Sequence, residues 1–197
     1  MSDKSEPRLA PPGAGLPKVE LFVARTLSRW RVWTGSRESF NADFERERVA
    51  ISKLYRDCDA PFAERRLLIK RLPGMEDSSR NWSVWMTLDH LRIVNRGIAN
   101  TIRKLAKEIV PVGTASTAAV KPDPSADASI VAEYEASCDS VLAAAAAAPN
   151  LRTKARFAHP WFGPMDAFAW HGLAGDHMAI HRKQLERIIE GLRKSGA

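Results

Sequence analysis

Apolar residues recur along this chain at intervals of three and four, the spacing that gathers them on one side of an α-helix. No segment shows the apolar–polar alternation of a half-buried strand. The pattern predicts a first helix over 18–33, with Val19, Leu21, Phe22, Leu27, Trp30 and Trp33 among its apolar positions and Gly35 to close it. A second is expected over 39–58, where Phe40, Phe44, Val49, Ile51, Leu54 and Tyr55 punctuate a charged stretch that Pro61 breaks. A short helix over 62–72 would end at Pro73-Gly74.

A third long helix is expected over 83–108, with the Ser83 hydroxyl capping its first turn. Pro111 and Gly113 then open a loop rich in Pro, Ser and Thr. The fourth long helix, over 128–148, ends in the alanine run Ala143 to Ala148, which strong helix propensity explains without a functional role. Asp166 can cap the last helix, expected over 167–194 and stopped by Gly196. The fold class implied is all-α: a four-helix bundle of up-and-down style with an extra N-terminal helix. Residues 1–17, with Pro7, Pro11, Pro12 and Pro17 and little to bury, read as a disordered leader to a single domain over 18–197.

Composition narrows the class. The 197 residues are 45% hydrophobic and 27% charged, which is globular. Two cysteines, Cys58 and Cys138, are too few for a disulfide scaffold or a cysteine-rich zinc module and read as structural thiols. No apolar run is long enough to span a membrane, and the opening residues lack the apolar core of a secretory signal, so a cytoplasmic protein is expected. The net charge of +7 and the Arg-Trp interleaving of ARTLSRWRVWTGSR suit phosphate contacts and stacking, which keeps a basic nucleic-acid-binding module as an alternative. The basic residues are scattered through the helices, however, and solvated helix faces account for most of them.

The histidines carry the candidate chemistry. His177 and His181 are spaced i, i+4, which turns their side chains only about 40° apart and sets their Cβ atoms about 5–6 Å from each other. Trp170, Gln184 and Ile188 share their stripe, while Arg182, Lys183, Glu186 and Arg187 occupy the other side, so the pair should face the bundle interior. His90 shares a face with Met86, Val94, Gly97, Thr101 and Leu105 and should also point inward. Metal sites in bundles are built from such inward residues, and three imidazoles with an open position resemble a catalytic rather than a structural zinc site. The bland alternative is a polar core cluster of buried imidazoles with no metal. Gln184, next to the pair, can hydrogen-bond a substrate or a ligand histidine. His159, before Pro160, reads as a loop fastener with a substrate-facing role as the alternative; Trp161, Phe162 and Trp170 would line the same mouth. His171 lies off the stripe and reads as a surface or interface residue. Neither Asp176 nor Glu186 shares the histidine face, so no general base is assigned.

Trp82-Ser83 before a helix carrying His90, followed by His177-x3-His181 on the last helix, resembles the DinB-like superfamily of bacterial four-helix-bundle proteins over residues 38–194. The segment HPWFGPMDAFAW, from His159 to Trp170, is similar to the stretch before the last helix in one uncharacterised branch of that superfamily. The resemblance implies a divalent metal, zinc or nickel, held by His90, His177 and His181, and a homodimer. It further implies a metal-dependent small-molecule transferase of the thiol S-transferase type, using a low-molecular-weight thiol, or a hydrolase. A bundle in which the metal only stabilises the fold is the non-catalytic alternative.

Overall fold

The computed structural model describes residues 7–196. Six α-helices are present among the described residues: α1 (Lys18–Thr34), α2 (Arg37–Arg56), the single turn α3 (Ala60–Ala63), α4 (Val84–Leu105), α5 (Ile130–Ala147) and α6 (Ala167–Lys194). Short polar side chains set where they begin. Ser36 and Ser39 cap α2 reciprocally, each hydroxyl accepting from the other's backbone N–H. Ser83 Oγ accepts from Met86 N at the start of α4, and Asp166 Oδ1 accepts from Ala169 N at the start of α6.

Helices α2, α4, α5 and α6 form the four-helix bundle. α4 packs on α5 and α6, α2 packs on α6, and α2 meets α5 to close the ring. α2 and α4 therefore stand on a diagonal, and the chain between them crosses the end of the bundle instead of joining neighbours, as a strict up-and-down order would require. The core is built from their apolar stripes, with Phe40, Phe44, Ile51, Leu88, Leu91, Tyr134, Met178, Leu185 and Ile188 all essentially buried. At Gly172 α6 has no side chain, and the Phe40 ring fills the space: a Cβ there would lie 2.9 Å from it.

The connections differ from the sequence expectation. The expected helix over 62–72 survives only as α3, because the chain beyond it pairs with a distant partner. Leu67–Leu68 (β1) and Asn81–Trp82 (β2) form a two-residue antiparallel ladder, and Ile69 N donates to Arg80 O at 3.0 Å. A second ladder joins Phe157–His159 (β3) to Gly163–Met165 (β4). Its three-residue loop closes at Gly163, whose φ of +72° is the left-handed conformation such hairpins need. Both ladders are too short to show a period-2 pattern.

α1 lies against α6 with none of its residues fully buried. Ionic ties hold it instead: Glu20 pairs with Arg71 and accepts from Gly74 N, and Arg31 pairs with Asp43 and Asp176. Its outward face leaves Phe22, Trp30 and Trp33 exposed. Residues 1–6 of the expected leader lie outside the described residues. The remainder, 7–17, is tied to the body: Ala10 N donates to Asp77 Oδ2 at 2.8 Å, and Gly13 N and Gly15 N donate to the two oxygens of Glu76. Acceptors more than sixty residues away hold this proline-rich stretch, so its composition alone gives no sign of them.

Candidate metal centre

Two helices bring the histidines together. α4 supplies His90, two turns from its capped start, and α6 supplies His177 and His181 one turn apart. One ring nitrogen from each lies within 4.8 Å of the others. His90 Nε2 and His177 Nε2 are 3.1 Å apart, and the His181 ring centroid lies 4.5 Å from each of the other two. Trp82 of β2 roofs the group, stacked almost parallel on His181 and 5.0 Å from His90.

The outer contacts decide which nitrogen of each ring faces inward. His90 Nδ1–H donates to Val120 O at 2.6 Å, which leaves its Nε2 as a lone pair. His181 Nδ1–H donates to Gln184 Oε1 at 2.7 Å, and Gln184 Nε2 donates in turn to Ser79 O at 2.7 Å. A carbonyl cannot donate, so the amide is fixed with its oxygen toward His181, and His181 Nε2 is also a lone pair. The remaining proton in the group belongs to His177. If it sits on Nε2 it satisfies His90 Nε2, but then nothing among the described residues donates to His181 Nε2, and His177 Nδ1 has no partner among them. Two converging lone pairs with too few protons are a poor polar core and a good ligand set; one cation removes the deficit.

The electrostatics agree. Burial holds His90 down at about 4, and burial with mutual repulsion holds His177 and His181 well below the ordinary histidine value, so the three rings are neutral near pH 7. Neutral imidazole is the form that binds a metal. Lys121 stands beside the group. Its Nζ donates to Ser78 Oγ at 2.7 Å and Ser79 Oγ at 3.1 Å, and lies 5.4 Å from the Trp82 ring centre.

The other candidate residues fall out as follows. Gln184 is fully buried, and both ends of its amide are used within the protein; of its two expected roles, only the bond to a histidine has a counterpart in the structure. Trp170 is buried beneath the β3–β4 hairpin, its Nε1 donating to Phe157 O at 3.2 Å. His159 accepts from Trp161 N at 3.1 Å and packs against Phe162 and Trp170, which is the loop-fastening geometry. Burial lowers its value to about 4, and it lies close enough to His177 to oppose a charge there. His171 departs from expectation: it is completely buried between α6 and α2, with Nε2–H donating to Asn41 Oδ1 at 2.9 Å. It lies off the stripe of α6 that faces α4, but α2 covers the side on which it stands. Cys138 is buried, which pushes its thiol up to about 12 and removes it as a nucleophile.

Val120, Ser79 and Lys121 had no sequence signal. Val120 and Lys121 sit in the Pro/Ser/Thr-rich loop, thirty or so residues beyond His90. Asp89 places them: buried next to His90, it accepts from Asp123 N at 2.8 Å and pins the loop against α4.

The fold has relatives. No curated protein matches the chain. The crystal structure of TT2238, a four-helix bundle protein, is similar with a TM-score of 0.55 and 20% identity, covering 77% of this chain and 98% of that one, a likeness of fold alone. Among the described residues no helix is long and apolar enough to cross a membrane. The family model of the DinB superfamily matches residues 43–185, which takes in all three histidines and most of the bundle, and the chain belongs to that superfamily.

Proposed function

We propose that this protein binds one divalent metal ion, zinc or nickel, through the Nε2 atoms of His90, His177 and His181, and acts on a small molecule as a metal-dependent transferase or hydrolase. The observation that carries the reading is the tautomer arrangement. Val120 O and Gln184 Oε1 each take the outer proton of a ligand ring, so two inner lone pairs converge where His177 has at most one proton to offer them. A bound metal with an open position supplies Lewis-acid polarisation or an activated water or thiolate.

The chain's own residues shape what the metal would meet. Gln184 and Val120 orient the rings, and Trp82 excludes water from one side. Lys121 stands at the same side but is paired with the buried Glu76 at 3.6 Å, so it does not choose between reactions. The thiol S-transferase reading, with a low-molecular-weight thiol as substrate, ranks ahead of the hydrolase on the strength of the superfamily alone. On the α6 side the substrate would meet His159, whose Nε2 has no hydrogen-bond partner among the described residues, while Trp170 packs behind its ring as support. Both cysteines are free thiols, which suits a cytoplasmic setting. A homodimer completes the proposal.

Metal content measured by mass spectrometry on untagged protein, wild type beside His177→Ala, tests the reading. About one equivalent of zinc or nickel in the wild type, lost in the variant, is expected, followed by turnover in a screen of thiols, esters and amides. Protein that carries no metal, and takes up none when zinc or nickel is added, overturns it and leaves a polar core cluster. Loaded protein with no turnover would favour the metal as a stabiliser.

A further inference from the structure

The Arg-Trp segment of α1 is not used by the metal centre. Arg25, Arg29 and Trp33 line a cleft of about 410 Å³, and Arg152 and Arg156 face them from the chain leading into the β3–β4 hairpin. Two of the four guanidiniums have structural duties: Arg25 Nε donates to Trp161 O at 2.6 Å, and Arg152 Nη2 donates to Val32 O at 2.7 Å while lying over the Phe168 ring. Arg29 and Arg156 have no hydrogen-bond or ion-pair partner among the described residues. Some other arginines are closely paired, as at Arg31, Arg48, Arg71 and Arg182, while Arg56, Arg65 and Arg193 stand as free as these two but do not line a shared cleft.

One carboxylate lines the cleft. Asp166 is only 6% exposed, and its Oδ1 is committed to Ala169 N as the cap of α6. Four positive groups thus surround one space with a single buried counter-charge. Such an arrangement repels itself when empty and is relieved by an anion. A guanidinium pairs phosphate through two parallel N–H bonds, and Arg29 and Arg156 have all theirs free. The walls are aromatic: Trp33, 80% exposed, on one side and Phe162 on the other. The volume is that of a small-molecule pocket, at the lower end of the usual range of about 300–1,000 Å³. The charges close around a cleft instead of following a track, which favours a small ligand over a nucleic-acid strand.

We propose that this cleft is a second binding site, for a small phosphorylated molecule with a flat apolar group, whose phosphate meets Arg29 and Arg156 and whose flat part stacks on Trp33 and Phe162. It does not depend on the metal centre, whose three histidines do not line it, although Phe162 also packs on the His159 ring.

Calorimetric titration of the full chain with phenyl phosphate at low salt tests the site, with inorganic phosphate and phenol as its two halves. Saturable binding of one equivalent is expected, about tenfold weaker in Arg29→Ala and in Arg156→Ala. Trp33→Leu should weaken phenyl phosphate but leave inorganic phosphate unchanged. All three side chains are exposed, and unchanged melting curves establish that the variants are folded. The same affinity in His177→Ala separates this site from phosphate held on a metal. No saturable binding, affinity indifferent to both arginines, or loss in folded His177→Ala overturns the proposal. So does a single-stranded oligonucleotide that binds more tightly than phenyl phosphate through the same arginines, which would make the cleft part of a nucleic-acid surface.

Discussion

Gln184 stands one turn beyond His181 on α6 and accepts its Nδ1 proton at 2.7 Å, while donating to Ser79 O at the same distance. The link joins the last helix to the segment just before β2 and leaves the amide one orientation. Through it, a backbone carbonyl over a hundred residues away fixes which nitrogen of His181 faces the other two histidines.

Gln184→Leu breaks that link at similar volume. With the outer proton no longer held, His181 can place its proton inward, and metal affinity should fall by about 10–100-fold, the usual cost of losing such a partner. Competition with a chelator of known affinity measures it. Affinity within twofold of wild type would mean that the amide does not set the tautomer.

If the three imidazoles hold a metal in the folded state alone, removing it must lower stability. Free metal at 100 times its Kd contributes about 2.7 kcal/mol, which for a chain of this size is a shift in Tm on the order of 5–10 °C. Melting with excess zinc and then with a chelator should show that gap in the wild type and none in His177→Ala. Coincident curves in the wild type would rule out a tightly held ion.

The four bundle helices were legible because each buries one face of at least four turns, enough for the periodicity to show. α6 even matches its expected limits, since Asp166 and the residues before Gly196 are strong local signals. His90, His177 and His181 could be brought together on paper because helical spacing alone places them on inward faces. What escaped were features made by residues far apart in sequence. β1 replaced most of a helix because its hydrogen bonds go to residues near 80. The leader's ties run to Glu76, which also accepts from Thr117 Oγ1 and so fastens two loops at once. His171 was misplaced because which helix covers the second side of α6 depends on the diagonal crossover, and no periodicity encodes that.

Two glycines of α6 make a paired test of its packing. A Cβ at Gly172 would lie 2.9 Å from the Phe40 ring, which is 1% exposed and has nowhere to move. At Gly191 it would meet the Leu67 Cδ2 methyl, the tip of a flexible, half-buried side chain. Alanine is about 1 kcal/mol the better helix former at either position. Gly172→Ala should nevertheless lose about 1–3 kcal/mol to overpacking, whereas Gly191→Ala should be neutral or slightly stabilising. Urea midpoints of the two variants decide it, and equal values would show that α2 and α6 are not in close contact at Phe40.

His171 gives the fold an acid sensitivity separate from the metal centre. Burial, with the nearby Arg37 charge, lowers its value to about 4, and its Nδ1 has no acceptor to receive a proton. The unfolded chain titrates near the ordinary value of about 6.5. Above that pH neither state is protonated and the full contribution is present. As pH falls from about 6.5 toward 4 the unfolded state takes up a proton that the folded state refuses, so stability is lost, by about 3 kcal/mol over the window. His90 and His159 are shifted in the same direction, so the wild-type slope alone does not isolate His171. His171→Gln keeps an N–H for Asn41 but has no titration, and in the presence of a chelator its stability should fall less steeply than wild type over this interval, by up to one proton's worth of slope. Parallel curves between pH 6.5 and 4 would mean that the folded protein accommodates the His171 imidazolium, and that the α2–α6 interface is open to water there.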